Sequence, residues 1–589
     1  MISKEALDNK YKALESSRRI QLTISKATAL FMFKSTHEPA KNYANLSVDY
    51  DCINHIGIEY IDLGCRYFEL EDYSLSSACF TKGAECLETI HSLKENGLSY
   101  SNYYGLLASL AFYAGFQYSR SFVLIKKFEE ETPIASLLSL FLKRNFSELT
   151  DKAEEMAISQ GYNDNQLSKA DDVEESCGKV FEISIAKSLY SIIQYFYTGE
   201  DSLIDTAKEK LNALLDIAKL ESLVDLWWVV RLILIIVDGF AQSSLWNMLG
   251  AYMELKRENS LARQYVLALI YKQMPVTELF LSQRAVLPQL FSAEQSGIIV
   301  SIPTSSGKTR IAEMAILNAL ISNPEGKILY IAPFRSLAYE IENSFGDLFA
   351  TAKIRVSHLY GGSLFTSLDV EELSEASIVI ATPEKVKAIF RCQQEFFKEL
   401  SLVVMDEGHL FGREQRQVGN EIFYEELRCF LKGLDCKYLL LSAVLPNTDD
   451  LAKWLTGTDN NTYHTDWRPS KQICGILNWN GVSVSMDWYK GKIKSSFNRN
   501  FVVRHELPRK PRERTTHYYP KDKVEAIVET ARKLESFGST LIYVPIKKSC
   551  ITYAEAYAKS LGAGQSYSFK NELERRIFEL VCKETYSIP

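Results

Sequence analysis

Two short stretches of the sequence hold the residue types that nucleotide phosphate chemistry needs. The first ends in Ser305-Ser306-Gly307-Lys308-Thr309, after an apolar, β-branched run at 298–302 and before a helical pattern at 310–320. A strand, a turn of small residues and a helix start suit phosphate binding, because backbone N–H groups and the helix dipole point at the anion. Lys308 would then meet the β- and γ-phosphates of a nucleotide, and the Thr309 hydroxyl would hold Mg²⁺.

The second stretch is Asp406-Glu407-Gly408-His409, which follows another apolar run at 402–405. Asp406 could hold Mg²⁺ through water while Glu407 polarises the water that attacks a phosphoanhydride. A solvated acidic turn is the alternative interpretation. Both stretches follow an apolar run, and parallel strands bring their carboxyl ends to one edge of a sheet. The two stretches would then lie close together, which favours a role in hydrolysis over a solvated turn. One feature argues against a P-loop of the general kind, since Ile302 stands where the first glycine belongs.

The region from 266 to 465 alternates short apolar runs with helical patterns, which is typical of a parallel α/β sheet. Each run is followed by a motif, as ligand sites at the carboxyl ends of strands require. We therefore predict a parallel sheet with a ligand site at one edge. The predicted strands are 298–302, 328–332, 354–359, 378–381, 402–405 and 438–442.

Taken together, the motifs of this region resemble those of superfamily 2 helicases, most closely the DExH, Ski2-like branch. The first motif of that family also lacks the early glycine, which accounts for Ile302. Two departures are Ser305 in place of glycine and Val444 in place of threonine. The motifs, in order, are PTSSGKT at 303–309, APFRSL at 332–337, YGG at 360–362, ATPEK at 381–385, DEGH at 406–409 and SAVLPN at 442–447, with DWRP at 466–469 after them.

The resemblance implies a role for each matching residue, with ATP and Mg²⁺ as cofactors. Gln283 would read adenine, and Thr309 and Asp406 would hold the metal. His409 and Ser442 would pass the nucleotide state to the nucleic-acid side. The implied sets are Lys308, Asp406, Glu407 and His409 for catalysis; Gln283, Thr304, Ser305, Ser306, Gly307, Lys308 and Thr309 for the nucleotide; Pro333, Arg335, Gly362, Thr382 and Pro383 for the nucleic-acid backbone; and Ser442 and Ala443 for coupling.

The resemblance also implies an architecture and an activity. A RecA-like P-loop motor domain at 266–465 would follow a large all-helical region at 1–265, with a basic hairpin segment at 466–520 and an incomplete second RecA-like domain at 521–589. The implied activity is ATP-dependent movement on single-stranded or tailed nucleic acid, with DNA favoured over RNA. The chain also resembles helicase subunits of bacterial antiphage defence systems of the Hachiman type, which would imply a nuclease or other protein partner.

Two alternatives stay open. One is an ATP-dependent RNA helicase, because contacts to the sugar-phosphate backbone do not separate DNA from RNA. The other is a nucleotide-state switch or scaffold that recruits a partner through its helical N-terminal region. The segments that would resemble motifs V and VI, including an arginine finger, are absent from the sequence. We therefore expect a truncated chain, with a split subunit completed by another polypeptide as the alternative. In either case we expect nucleotide binding but little hydrolysis by this chain alone and no processive unwinding.

The N-terminal region has few glycines and prolines and reads as successive helices. One unit fits the tetratricopeptide pattern, and 104–127 is a degenerate neighbour of it; a generic helical bundle is the alternative. Trp227, Trp228 and Trp246 have near-helical spacing, which indicates core packing. The residues of the tetratricopeptide fit are Tyr60, Leu63, Gly64, Tyr67, Ser76, Phe80 and Gly83.

Residues 466–514 carry eleven Lys and Arg against four Asp and Glu. Alternating apolar residues at 473–486 around Asn480-Gly481 predict a β-hairpin. Aromatic residues between the charges suit single-strand binding, and ordinary cross-strand packing is the alternative. A helix at 521–537 and a buried strand at 540–544 are predicted to open the second RecA-like domain. The aromatic residues are Trp467, Trp479, Trp488, Tyr489 and Phe497.

Composition predicts an ordinary globular, cytoplasmic protein. The polar N-terminus has no signal-peptide core, and the longest apolar run, 226–237, contains Arg231. Eleven cysteines without a CxxC pair favour reduced thiols over a zinc site. The net charge of −7 excludes a uniformly basic surface but permits a local basic groove.

Overall fold

The chain divides into two compact units, residues 1–21 with 49–471 and residues 22–48 with 472–589. The first unit contains the helical region and the predicted motor region, and the second contains the hairpin segment. The structure is a computed structural model, and it describes residues 3–35, 49–92, 101–126, 132–159, 173–292, 296–359, 366–408, 415–443, 445, 447–458, 460–470, 472–490, 493–508, 515–535, 538–561, 572–573 and 575–576.

Successive helices make up the described part of the N-terminal region, as predicted. They are α1 (Lys4–Ser16), α2 (Arg18–Ser35), α3 (Tyr50–Glu69), α4 (Tyr73–Ser92), α5 (Ser101–Ala114), α6 (Tyr118–Lys126), α7 (Pro133–Leu142), α8 (Phe146–Ser159), α9 (Val173–Thr198), α10 (Asp201–Leu220), α11 (Val224–Gly239), α12 (Leu245–Gly250) and α13 (Leu261–Ile270).

Four turns between these helices have the same form. They join α3 to α4, α5 to α6, α7 to α8 and α10 to α11, and each has one residue in the left-handed region: Glu71, Phe116, Arg144 and Ser222, with φ of 60°, 60°, 58° and 59°. In each turn the following residue donates its N–H to a carbonyl five positions earlier, over 2.9, 2.8, 3.0 and 2.8 Å. The region therefore repeats a helix hairpin, and an array of tetratricopeptide type stays a prediction.

The α3–α4 hairpin packs closely because its contact residues are small. A Cβ atom on Gly64 would lie 2.8 Å from a ring carbon of Phe80. The hydroxyl of Ser76 donates to the Gly64 carbonyl over 2.9 Å. The residues that fit the tetratricopeptide pattern thus form the contact between two helices. Trp246 is buried as predicted, whereas Trp227 and Trp228 are only half-buried.

A parallel, seven-stranded sheet forms the described part of the motor region, in the order β3-β4-β2-β5-β6-β1-β7. The predicted RecA-like α/β fold is confirmed. Its elements are α14 (Leu281–Arg284), α15 (Leu287–Leu290), β1 (Gly297–Ser301), α16 (Lys308–Ser322), β2 (Lys327–Ile331), α17 (Arg335–Phe349), β3 (Val356–His358), α18 (Ser367–Glu375), β4 (Ile378–Ala381), α19 (Pro383–Cys392), α20 (Gln394–Lys398), β5 (Leu400–Met405), α21 (Gln415–Leu431), β6 (Lys437–Ser442), α22 (Thr448–Thr456) and β7 (Thr462–His464).

All six predicted strands of this sheet are present, and their ends differ from the predicted ones by at most two residues. The sequence did not predict β7, which pairs with β1 along the edge of the sheet. Its three residues are Thr, Tyr and His, so it lacks the apolar run that marks the central strands. Burial of β1, β4 and β5 along their whole length explains why those runs were recognisable.

The second unit confirms the predicted hairpin and corrects one strand. Strands β8 and β9 pair antiparallel around Gly481, whose φ is 90°. Residues 540–544, predicted as a buried strand, form no strand here, and Leu541 is 90% exposed. A parallel strand needs a neighbour to satisfy its backbone, and the described residues supply none. The elements are β8 (Cys474–Trp479), β9 (Ser483–Lys490), β10 (Ile493–Val503), β11 (His505–Glu506), β12 (Tyr518–Tyr519), α23 (Lys523–Glu535) and α24 (Lys547–Ser560).

Two of the aromatic residues in the basic segment contribute to packing. Trp479 and Trp488 lie against a small core formed by Val484, Met486, Phe501, Val502 and Ala526. Cross-strand packing therefore occupies part of both rings, and a role in single-strand binding stays a prediction. Among the described residues, no helix is both long enough and apolar enough to cross a membrane.

Candidate nucleotide-binding site

The loop between β1 and α16 is held from two sides. The Ser306 hydroxyl donates to the Trp467 carbonyl over 3.1 Å, and the Ser282 hydroxyl donates to the Ser306 carbonyl over 3.0 Å. Ser282 comes from α14 and Trp467 from the segment after β7, so distant parts of the chain shape this loop. Thr304 and Ser305 are exposed within it and available to a ligand.

Ser305 adopts a backbone conformation that suits glycine. Its φ is 66°, in the left-handed region, which costs a residue with a side chain about 1–3 kcal/mol. The departure from the family motif at this position therefore introduces strain into the loop.

We expect Ser305→Gly to raise the free energy of unfolding by about 1 kcal/mol, because relief of this strain exceeds the entropy cost of glycine. Urea unfolding measures the change. Ser305→Ala is the matched control, because it keeps a Cβ atom at the same φ and should give no such gain. Equal stability of the glycine and alanine variants would contradict the prediction.

Gly307 and Gln283 are in close contact. The Gln283 amide nitrogen donates to the Gly307 carbonyl over 3.1 Å, and its oxygen accepts from the Phe280 N–H over 2.8 Å. Gly307 has a φ of 83°, and a Cβ atom there would lie 1.9 Å from the Gln283 amide nitrogen. Only glycine therefore fits at the start of α16.

We expect Gly307→Ala to lower the affinity for ATP by about a hundredfold, since the added methyl group displaces Gln283 and strains the loop. Isothermal titration of the purified chain measures the affinity. Gly346→Ala is the control, because a Cβ atom on Gly346 meets no atom within 4 Å. Wild-type affinity in Gly307→Ala would show that this contact does not shape the site.

An ion pair joins the two stretches that were predicted to do chemistry. The Lys308 ammonium lies 3.0 Å from each carboxylate oxygen of Glu407. Both side chains are largely shielded from solvent, with 12% and 25% of each exposed. The first residue of α16 and the second residue after β5 thus meet at the carboxyl edge of the sheet, as the predicted parallel arrangement of the strands requires.

Asp406 lies beside this pair in a buried setting. Its carboxylate accepts a hydrogen bond from the Tyr330 hydroxyl over 2.6 Å and another from the Glu407 N–H over 2.8 Å. Burial raises the pKa of Asp406 above its ordinary value, and the nearby Glu407 charge acts in the same direction. Glu407 itself has a φ of 52°, so the backbone is strained where the two carboxylates diverge.

The residues at this edge fit a magnesium ion. Mg²⁺ takes oxygen ligands, keeps several waters and is commonly held by one carboxylate together with substrate phosphates. The Asp406 carboxylate and the exposed Thr309 hydroxyl supply such oxygens. A divalent cation would also neutralise a carboxylate that burial disfavours in its charged form.

Residues 281–451 match the family model described as DEAD/DEAH box helicase. This segment is a DEAD/DEAH box helicase domain. The match begins in α14, which carries Gln283, and ends in α22, so it includes every strand of the sheet except β7.

Related proteins match the helicase domain and, in one case, the whole chain. The Hachiman protein HamB of Bacillus cereus is 32% identical over 590 residues, which cover 99% of this chain and 51% of that protein. The ATP-dependent DNA helicase Hel308 of Methanococcus vannielii is 32% identical over 240 residues, covering 39% of this chain and 30% of that protein. This chain therefore spans about half the length of the first relative and less of the second.

Among solved structures, the DUF1998 helicase MrfA bound to DNA and AMPPNP aligns with 56% of this chain and 43% of its own. Its sequence identity is 17% and its TM-score is 0.37. Because this structural similarity is low, the helicase domain is assigned from the family match and the motifs. The fold is described by the strand order of the sheet.

The residues predicted to lie along nucleic acid follow β2 and β4 of the helicase domain, which are neighbours in the sheet. Arg335 is exposed, whereas Pro333, Thr382 and Pro383 are buried. Ser442 is buried at the end of β6, and Ala443 is half-buried beside it. His409 and Gly362 lie outside the described residues, as does Val444.

Sequence reasoning missed several residues that hold these loops in place. Arg416, at the start of α21, donates to the Glu384 carboxylate over 2.7 Å and to the Pro333 carbonyl over 3.0 Å. It thereby joins the loop after β2 to the helix after β4. Tyr330, which donates to Asp406, lies in an apolar run that predicts a strand and no contact with a motif. In both cases the partner is distant in sequence, so no local pattern could have identified the contact.

Proposed function

We propose that this chain is an ATP-dependent motor that moves on nucleic acid, with DNA as its substrate, and that it acts in an antiphage defence complex. The ion pair between Lys308 and Glu407 carries the proposal, because it brings a phosphate-binding cation and a candidate catalytic carboxylate to one site. The similarity to a Hachiman protein and to DNA helicases supports the defence role and the substrate.

The ion pair suggests how ATP binding would prepare hydrolysis. The Lys308 ammonium would exchange its ion pair with Glu407 for contacts to phosphate oxygens, because the nucleotide offers several anionic acceptors. The released Glu407 carboxylate would then orient a water molecule for attack on the γ-phosphorus, and would accept its proton. Mg²⁺ held by Thr309 and Asp406 would neutralise charge on the phosphates when bound. Tyr330 would keep the Asp406 carboxylate in position.

Movement on nucleic acid would require the loops at the same sheet edge to respond to the nucleotide. The strands β2 and β5 are neighbours, so Pro333 and Asp406 follow adjacent strands. Arg416 connects the Pro333 loop to Glu384 in α19. A shift at Asp406 would therefore reach the loops that contain Pro333, Arg335, Thr382 and Pro383.

Binding measurements on this chain test the nucleotide part. We expect ATP with Mg²⁺ to bind, and Lys308→Ala to lower the affinity about a hundredfold, because a charge-assisted contact contributes about 1.5–3 kcal/mol. Lys432→Ala is the control, since Lys432 is exposed, follows the end of α21 and belongs to none of the motifs. Unchanged affinity in Lys308→Ala would contradict the proposed site.

Competition between labelled single-stranded DNA and RNA of the same sequence tests the substrate. We expect DNA to bind more tightly, with an affinity that changes when ATP is added and falls with salt, because backbone contacts release counterions. Tighter binding of RNA would favour the alternative of an RNA helicase. Binding of neither would leave the switch or scaffold function.

The proposal includes a protein partner, such as a nuclease, bound through the helical region at 1–265. Its support is the similarity to the Hachiman protein HamB along the length of this chain. A pull-down with the whole chain from cells that carry the native gene neighbourhood tests it. We expect one stoichiometric partner, and its absence with and without ATP would contradict this part of the proposal.

A further inference from the structure

A cavity of about 610 Å³ lies between the helical region and the helicase domain, within the first unit. Gln283, Gly307 and Thr309 line it on the helicase side. Helix α6 lines it on the other side, through Tyr118, Ser119, Phe122 and Val123. The volume is within the range of about 300–1,000 Å³ that is usual for small-molecule and cofactor sites. One end of the cavity therefore reaches the phosphate-binding loop, and the opposite wall belongs to the helical region.

The charges that line the cavity balance one another. Arg144 pairs with Glu278 over 2.9 Å, and 15% and 1% of these side chains are exposed. Arg310 forms an ion pair with Glu313, which is buried. Lys272 and Glu340 complete the charged lining with one charge of each sign. A cavity with no net charge favours an uncharged ligand, because a buried ion would lack a partner.

Apolar side chains supply much of the remaining wall, and some of them are exposed. Val123 is 57% exposed and Met274 is 51% exposed, and both line the cavity beside Phe122 and Val276. When a flat, apolar ligand covers exposed apolar groups around a concave site, the removal of their surface from water stabilises the complex. The wall is therefore suited to the face of an aromatic ring.

One polar group in the lining is suited to the edge of such a ring. The Gln283 amide has two hydrogens and two oxygen lone pairs. Its bonds to Gly307 and Phe280 use one of each. The second N–H and the second oxygen lone pair of Gln283 can bind an adjacent acceptor and donor on a ligand at the same time. A glutamine amide recognises adenine by such a pair of hydrogen bonds.

We propose that helix α6 of the helical region forms one wall of the nucleotide site, so that Ser119 and Phe122 contact the nucleobase or ribose of a bound ATP whose place beside Gln283 the helicase motifs already imply. The inference rests on the proposed function, since the phosphates must occupy the loop at 303–309. It assigns Ser119 and Phe122 a place in nucleotide binding that the helicase motifs do not cover. The helical region is then part of the ATP site as well as a candidate surface for partners.

Aromatic contacts keep this wall in a defined position. The ring of Tyr118, the first residue of α6, stacks on Phe280 with centroids 6.2 Å apart and planes 21° apart. Phe280 in turn lies 5.6 Å from Trp467, whose carbonyl accepts from Ser306. A continuous chain of contacts therefore connects helix α6, through the segment that carries Gln283, to the phosphate-binding loop.

The test compares two ligands, ATP and tripolyphosphate, by isothermal titration of the whole chain. Tripolyphosphate keeps the phosphates and lacks the base and ribose. We expect Ser119→Trp, which fills the cavity, and Phe122→Ala, which removes part of its wall, each to weaken ATP binding about tenfold while tripolyphosphate binding stays at the wild-type level. Ser202→Trp on the exposed start of α10 is the control for an added indole ring.

The ratio of the two affinities is the readout, because a general loss of structure lowers both alike. A ratio that falls in both variants, with a wild-type ratio in Ser202→Trp, supports the inference. A wild-type ratio in Ser119→Trp and Phe122→Ala overturns it. If the wild-type chain binds neither ligand, the proposed function fails, which distinguishes that result from failure of the inference.

Discussion

Replacement of Glu407 by glutamine is expected to strengthen ATP binding about tenfold and to reduce any ATP hydrolysis at least about a hundredfold. In the structure, the Lys308 ammonium contacts both oxygens of the Glu407 carboxylate at 3.0 Å. ATP must therefore break an ion pair before its phosphates can take Lys308. Glutamine has nearly the same shape and no charge, so it competes less for the ammonium and does not repel the γ-phosphate.

The same substitution removes the group that would accept the proton from the attacking water, so tighter binding should accompany slower turnover. Isothermal titration gives the affinity, and phosphate release in the presence of single-stranded DNA gives the rate. Glu395→Gln is the matched control, because Glu395 is exposed and pairs with Lys398 away from the site. Weaker ATP binding in Glu407→Gln would show that this carboxylate assists binding, contrary to the ion-pair argument.

Replacement of Glu278 by alanine is expected to lower the free energy of unfolding of the first unit by about 3–5 kcal/mol, because it leaves a buried charge without its partner. The Glu278 carboxylate accepts from Tyr113 over 2.6 Å, from Arg144 over 2.9 Å and from Thr277 over 2.9 Å. The Arg144 guanidinium is also largely buried. This network joins the α7–α8 turn of the helical region to the segment that precedes Gln283.

Urea unfolding of the whole chain measures this effect, and the double variant Arg144→Met with Glu278→Met separates its causes. Removal of both charges should cost less than Glu278→Ala alone, since no buried charge then remains unpaired. Glu221→Ala serves as a control, because Glu221 is exposed beyond the end of α10. A loss below about 1 kcal/mol in Glu278→Ala would mean that water or another group replaces the carboxylate.

The candidate catalytic residues were predictable because they lie in continuous motifs. Residues 303–309 and 406–409 each follow a buried strand, and both the strand and the motif can be read from neighbouring residues. The parallel sheet followed from the alternation of apolar runs and helical patterns. The edge strand β7 and the third strand of the second unit, β10, were missed, because their residues do not form the apolar or alternating runs that mark buried and hairpin strands.

The error at 540–544 has the opposite cause. Its sequence, Thr-Leu-Ile-Tyr-Val, has every local feature of a buried strand. In the structure, Leu541 and Tyr543 are 90% and 83% exposed. Local propensity describes what a segment can form, whereas a parallel strand exists only beside a hydrogen-bonded neighbour.

The residues that could bind a nucleotide phosphate, their order and the strands that they follow can all be read from neighbouring residues in the chain. Three contacts cannot be read in this way: the pairing of Lys308 with Glu407, the hydrogen bond from Gln283 to Gly307, and the position of α6 along the cavity beside them. Those contacts join residues that are far apart in the chain. Their formation depends on how helices and sheet pack, because packing sets the distances between side chains that no local pattern relates.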